Sequence, residues 1–243
     1  RATVREMRPR LGYDPYTLPA VRNPLGHAAW GPDYDRARKR MGEPALLRDD
    51  IPLDWVAATD MWSGAASWVP KQLVCLDFTV DERIGVPLFF ASSNGLASGN
   101  TLLEALTHGL CEVIERDSSW RCAATRYEPE RCVAPATITS ALARSLIERF
   151  ARAGLATIIS DVSGPIGLPC FEATIAHPDA PSWYGGAGCH PSRATALPRA
   201  LTEAAQSRLT MIAGSRDDIL RGSYRKAIRA RQAIPHLFLR SYR

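Results

Sequence analysis

The chain has 243 residues, 46% of them hydrophobic, enough to bury a core of its own as one large domain. Its formal charge of +5, from 30 basic and 25 acidic residues with Arg far commoner than Lys, is too small a surplus to indicate nucleic-acid binding, and only residues 216–243 come near a basic footprint. No apolar run approaches the roughly 18–20 residues of a membrane span, no signal segment opens the chain, and six cysteines without a CxxC pair exclude a zinc knuckle and fit reduced thiols in a cytoplasm.

Three segments follow from the composition along the chain: a Pro-rich irregular stretch over residues 1–52, a folded domain over 53–220, and a basic tail over 221–243. Seven prolines (Pro9, Pro15, Pro19, Pro24, Pro32, Pro44 and Pro52) limit the first segment to one short helix, over residues 33–41. Residues 55–62 and 66–78 are β-prone runs joined through Ser63-Gly64, which predicts a hairpin with Trp55, Trp62 and Trp68 as core aromatics. A buried strand over 85–91 leads into the loop SSNGLASGN, residues 92–100, and then to a capping box of Thr101 and Glu104.

The helix that begins there is predicted to reach about residue 126, with Leu103, Leu106, Leu110, Val113 and Ile114 as its apolar side. A second helix over 138–153 stops at Gly154. Strands over 155–162 and 168–177 form an antiparallel pair, and residues 183–190 read as another glycine-rich loop. A third long helix over 192–213 ends at Gly214, with Asp217 and Asp218 beyond it answering nearby Arg residues.

Two of these helices carry chemistry. Glu104, His108, Glu112 and Glu115 recur at spacings of four, four and three, which stack side chains on one helical face away from the leucines. Carboxylates held that close repel unless a cation joins them, and Mg²⁺ takes such oxygen ligands while bridging to phosphates. Arg199, Glu203 and Gln206 share a face of the third helix. In the functional reading Glu104, Glu112, Glu115 and Glu203 hold Mg²⁺, while Arg116 and Arg199 meet phosphate oxygens. In the plain alternative both faces are solvated helix surfaces, stabilised by pairs such as Arg199 with Glu203.

No GxxxxGK[ST] and no GxGxxG at a strand-to-helix turn is present, so neither a P-loop nor a dinucleotide fold is indicated. His108 is either a ligand or base or a hydrogen-bonding spacer. His190 either caps the third helix or faces the site, and Cys189, with no base beside it in the sequence, reads as a buried thiol.

At SSNGLASGNTLLEALTHGLCEVIERD and GAGCHPSRATALPRALTEAAQSRLTMIAGSRDD the chain resembles the YcaO family of ATP-dependent peptide-modifying enzymes, most closely its TfuA-associated branch, over about residues 55–219. The resemblance implies an α+β domain of mostly antiparallel strands packed on helices, and an ATP and Mg²⁺ site without a P-loop. It implies nucleotide-binding roles for Asn100, Arg116, Arg199 and Gln206 and metal-binding roles for Glu104, Glu112, Glu115 and Glu203. The implied reaction activates a backbone amide of a ribosomally made peptide or a protein by O-phosphorylation, giving an azoline with a side-chain nucleophile or a thioamide with sulfide from a TfuA-like partner. The family's earlier SxxExxER motif has no counterpart here, which predicts a chain incomplete at its N-terminus and leaves open a degenerate module that binds a peptide or partner without turnover. Self-association as a homodimer is also left open.

Overall fold

The computed structural model describes residues 1–13, 49–76, 93–177 and 183–214. The predicted helix over 33–41, the strand over 85–91, Asp217, Asp218 and the basic tail lie outside these residues. The chain divides into two compact units, Arg1–Leu96 and Ala97–Arg243.

In the first unit, β1 (Ala2–Thr3) pairs antiparallel with β2 (Pro52–Leu53), and α1 (Val4–Met7) starts at a full capping box between Thr3 and Glu6. Burial of Val4, Met7, Leu11 and Leu53 gives this segment a small core, so the start of the chain is ordered where prolines alone predict irregular backbone. The predicted hairpin is present as β3 (Trp55–Thr59) against β4 (Ala66–Pro70), with Trp55 opposite Pro70. Asp60 closes the turn by accepting from the backbone N–H groups of Trp62 and Ser63, and Gly64 supplies the positive φ. The second strand is shorter than expected, because Pro70 ends it and Lys71–Val74 turn into the one-turn helix α2. Trp55 is half-buried and donates its indole N–H to Ala2 O at 2.9 Å, whereas Trp62 is 97% exposed at the turn and is not a core aromatic.

The second unit is a three-stranded antiparallel sheet in the order β5 (Ala156–Asp161), β6 (Cys170–Ala176), β7 (Trp183–Cys189), with helices on both faces. On one face lie α4 (Ala141–Arg152) and α5 (Arg193–Ala213), whose Ala196, Leu197, Ala200, Leu201 and Ala204 join Phe171, Ala173 and Ile175 in the larger core. On the other lies α3 (Leu102–Arg121), over a smaller core of Cys111, Cys122, Val162, Cys170 and Cys189. Among the described residues no helix is long and apolar enough to cross a membrane.

Four expectations for this unit change. Residues 183–189 form a strand rather than a glycine-rich loop, because Gly186 and Gly188 face α5 and their missing side chains let the helix backbone approach the sheet. The helix α3 ends at Arg121, not near residue 126. Its leucine stripe is also not the buried side: Leu103 is 74% exposed and Leu110 54%, while Cys111 and Ser118 are buried on the sheet side.

The helix α4 begins at Ala141 rather than residue 138, since Ser140 Oγ accepts from Ala143 N–H at 3.3 Å and fixes the start there. Replacing this cap, Ser140→Ala, is expected to lower stability by about 1 kcal/mol in urea denaturation. An unmoved midpoint would show that the cap contributes nothing. Gly154 and Gly214, with φ of 71° and 59°, end α4 and α5 where the sequence places their stops.

Candidate active site at the edge of β7

In the described sheet β7 is an outer strand, so every second backbone N–H along it points away from β6. Two of these groups are taken by carboxylates arriving from opposite faces of the sheet. Ala187 N–H donates to Glu203 Oε2 of α5 at 2.9 Å, and Cys189 N–H donates to the Glu115 carboxyl of α3. Two helices that never follow one another in sequence thereby bring their acidic residues to one strand edge.

The electrostatics follow from this placement. Burial pushes the Glu115 carboxyl up to about 7, and the neighbouring Glu203 and Glu112 add to the rise. The Cys189 N–H and Arg116 act the other way and do not cancel it. Glu112 pairs with Arg116 at 3.1 Å, one turn along α3. Beneath Glu115 lie the thiols of Cys170 and Cys189, opposite one another in the β6–β7 register and 0% and 1% exposed. Burial first, and contact between the thiols second, raises the Cys189 pKa well above the ordinary thiol range, in keeping with the buried thiol expected from the sequence.

Glu104 sits nearer the start of α3. Thr101 Oγ1 accepts from Glu104 N–H at 3.2 Å, but the Glu104 carboxylate turns to Asn100 and accepts from its backbone N–H at 2.8 Å and its Nδ2 at 3.1 Å. The predicted capping box is therefore half formed, and its second half fixes the loop before the helix. Glu104 lines a cleft of about 370 Å³ together with Thr101, His108, His190 and Arg199. His190 Nδ1 accepts from Ser192 N–H at 3.0 Å, so it turns the chain into α5 and lines the cleft as well. Gln206 is exposed, three residues beyond Glu203 on α5.

The structure thus brings Glu115 and Glu203 to one strand edge, pairs the neighbouring Glu112 with Arg116, and turns Glu104 to Asn100 in the cleft with Arg199, so the four predicted carboxylates do not form one cluster. Sequence reasoning missed the two β7 amides that orient Glu115 and Glu203. The alternation of Gly186 and Gly188 in WYGGAGC was the available signal, since a repeat of two marks a strand face. It also missed the ion pair of Arg126 with Glu172, 2.8 Å apart across the same sheet face.

The family described as YcaO cyclodehydratase, ATP- and Mg²⁺-binding, matches residues 1–243. A protein of Rhizobium leguminosarum bv. trifolii, known as an uncharacterised protein in the tfuA 3′ region, is 41% identical over 191 residues, covering 74% of this chain and 44% of its own. An uncharacterised protein of Mycobacterium tuberculosis strain H37Rv is 34% identical over 193 residues, covering 79% of this chain and 44% of its own. The chain thus spans less than half the length of these relatives.

Among solved structures, a heterocyclase in complex with substrate and cofactor superposes with a TM-score of 0.69 at 19% identity, over 93% of this chain and 30% of that one. The YcaO protein from Methanopyrus kandleri bound with AMPPCP and Mg²⁺ superposes with a TM-score of 0.57 at 25% identity, over 72% of this chain and 46% of that one. The α+β architecture expected from the sequence is the one these structures share, and the chain belongs to the YcaO family.

Proposed function

We propose that the intact protein is an ATP- and Mg²⁺-dependent enzyme that activates a backbone amide of a peptide or protein. The observation that carries this reading is the meeting of Glu115 and Glu203 on the β7 edge, where burial and mutual repulsion leave negative charge for a cation to offset. Among the described residues no three His, Cys, Asp or Glu side chains are grouped to hold a metal unaided. Mg²⁺ takes one or two carboxylates, keeps waters and completes its shell with phosphate oxygens, a role open to the pair Glu115 and Glu203.

When bound, Mg-ATP supplies the phosphoryl group that makes an amide oxygen a leaving group. Glu115 and Glu203 hold the cation side of that complex, with Glu112 beside them kept in place by Arg116. Arg199, in the cleft with Glu104 and the two histidines, meets phosphate charge by charge-assisted hydrogen bonds, and Asn100 and Gln206 are assigned to the nucleotide on the family's pattern. The β7 amides keep the two carboxylates oriented before the ligand arrives, so little reorganisation accompanies binding.

Within this class we favour thioamide formation with a TfuA-like partner over azoline formation, because a relative is known from a tfuA region. Peptide-dependent phosphate release from ATP by the intact protein tests the reading. Glu203→Gln is expected to lower it at least tenfold, since stabilisation of phosphoryl charge is worth several kcal/mol, while Glu148→Gln on the exposed side of α4 leaves it unchanged. Mg-ATP binding with no phosphate release at any peptide concentration would favour a binding module without turnover.

A further inference from the structure

Glu203 and Ala187 also line a second cleft, of about 380 Å³, on the α3 side of the sheet. We propose that this cleft seats the peptide backbone to be modified and that the nucleotide does not enter it, an inference that rests on the amide-activating reading above. Tyr127 and Trp183 form one aromatic wall, their rings packed on each other 6.2 Å apart at a 34° tilt, within the range of favourable aromatic contact. Tyr127 is held by its hydroxyl, 3.4 Å from Thr174 Oγ1 on β6, and the cleft floor between Trp183 and Ala187 is Gly185. A Cβ at Gly185 would meet nothing within 4 Å, so the floor is open where a backbone could lie against β7.

Charge separates this cleft from the first. Its cation, Arg126, is paired with Glu172 at 2.8 Å and donates to Ser119 O at 3.4 Å, and Glu203 adds negative charge at the inner end. Phosphates are poorly served by such a lining, whereas the first cleft presents Arg199 with His108 and His190 against a single carboxylate, Glu104, which is itself turned to Asn100. An aromatic wall, a neutralised ion pair and a glycine floor suit an uncharged, extended segment of small residues, and the volume lies at the lower end of the roughly 300–1,000 Å³ of ligand pockets. Because Glu203 is shared, an amide lying on Gly185 ends beside the carboxylate pair, with the nucleotide side beyond it.

The test uses the intact protein and a defined probe, an N-acetylated heptapeptide amide with a central glycine and one diazirine-bearing residue, cross-linked by light with and without Mg²⁺ and a non-hydrolysable ATP analogue. Cross-links are expected at Tyr127 or Trp183, undiminished by nucleotide. They are expected to fall at least fivefold in Gly185→Val, while the affinity for a fluorescent ATP analogue stays within twofold. Trp183→Ala serves the same purpose if Gly185→Val fails to fold.

Displacement of the probe by nucleotide would place the base in this cleft and overturn the proposal. So would loss of nucleotide affinity in Gly185→Val, or probe capture no higher in the parent than in the variants. A protein that captures the probe here yet binds no nucleotide would refute the amide-activating reading and leave the cleft assignment standing.

Discussion

Glu115→Gln is expected to make the nucleotide-free protein more stable at pH 8 while abolishing ATP turnover. The carboxyl of Glu115 is pushed up to about 7 by burial first and by Glu203 second, from an ordinary value of 4.5. A folded-state pKa above the unfolded one contributes stability that is fully present below about 4.5 and is lost as pH rises through about 7. At pH 8 the parent therefore carries a charge that its surroundings resist. Glutamine keeps an oxygen to accept from Cys189 N–H and gains an N–H₂ able to donate to Glu203, so repulsion is replaced by a hydrogen bond. With allowance for solvent around a partly exposed group, the gain should be about 1–3 kcal/mol at pH 8, vanishing towards pH 4.5. Denaturation series at pH 5, 6.5 and 8 check this. A difference independent of pH, or a less stable glutamine variant at pH 8, would show that Glu115 is not held against Glu203. Added Mg²⁺ with an ATP analogue should raise the melting temperature of the parent and leave the variant where it was, which separates a role in ligand binding from mere strain.

Much of this arrangement was legible along the chain. The 3.6-residue repeat placed Glu112 and Glu115 on one face of α3, glycine punctuation located the ends of α4 and α5, and two β-prone runs separated by SGPIG marked β5 and β6 as a pair. What stayed hidden depends on partners remote in sequence. The leucines of α3 outweigh its Cys111 and Ser118 in any hydrophobic pattern, yet these small residues are the ones on the side that meets the sheet. Glycine is a poor strand former, so WYGGAGC reads as a loop until a helix is seen to need the space. The pairing of Arg126 with Glu172, and the capture of Glu115 and Glu203 by β7 amides, exist only once three strands are in register.

The glycines of β7 give the largest structural effect. Ala196, Ala200 and Ala204 recur every four residues along α5 and meet Gly186 and Gly188 on the strand below. A methyl group on Gly186 would lie deep inside the contact distance of Ala204 N and Ala200 O and 2.7 Å from the carbonyl carbon of Glu203. One on Gly188 would collide with Ala196 O. These are helix backbone atoms, which cannot rotate aside as a side chain would, so α5 must lift from the sheet. Gly186→Ala is expected to cost about 3 kcal/mol or more, at or beyond the usual range for overpacking. Gly185→Ala, one residue away and facing open space, should be neutral or mildly stabilising. Thermal unfolding of the pair followed by circular dichroism gives the comparison, and equal melting temperatures would mean that α5 does not rest on β7. Because Glu203 lies in the displaced turn, Gly186→Ala should also lose ATP turnover with every acidic residue intact. The carboxylates act only where the glycines hold their helix.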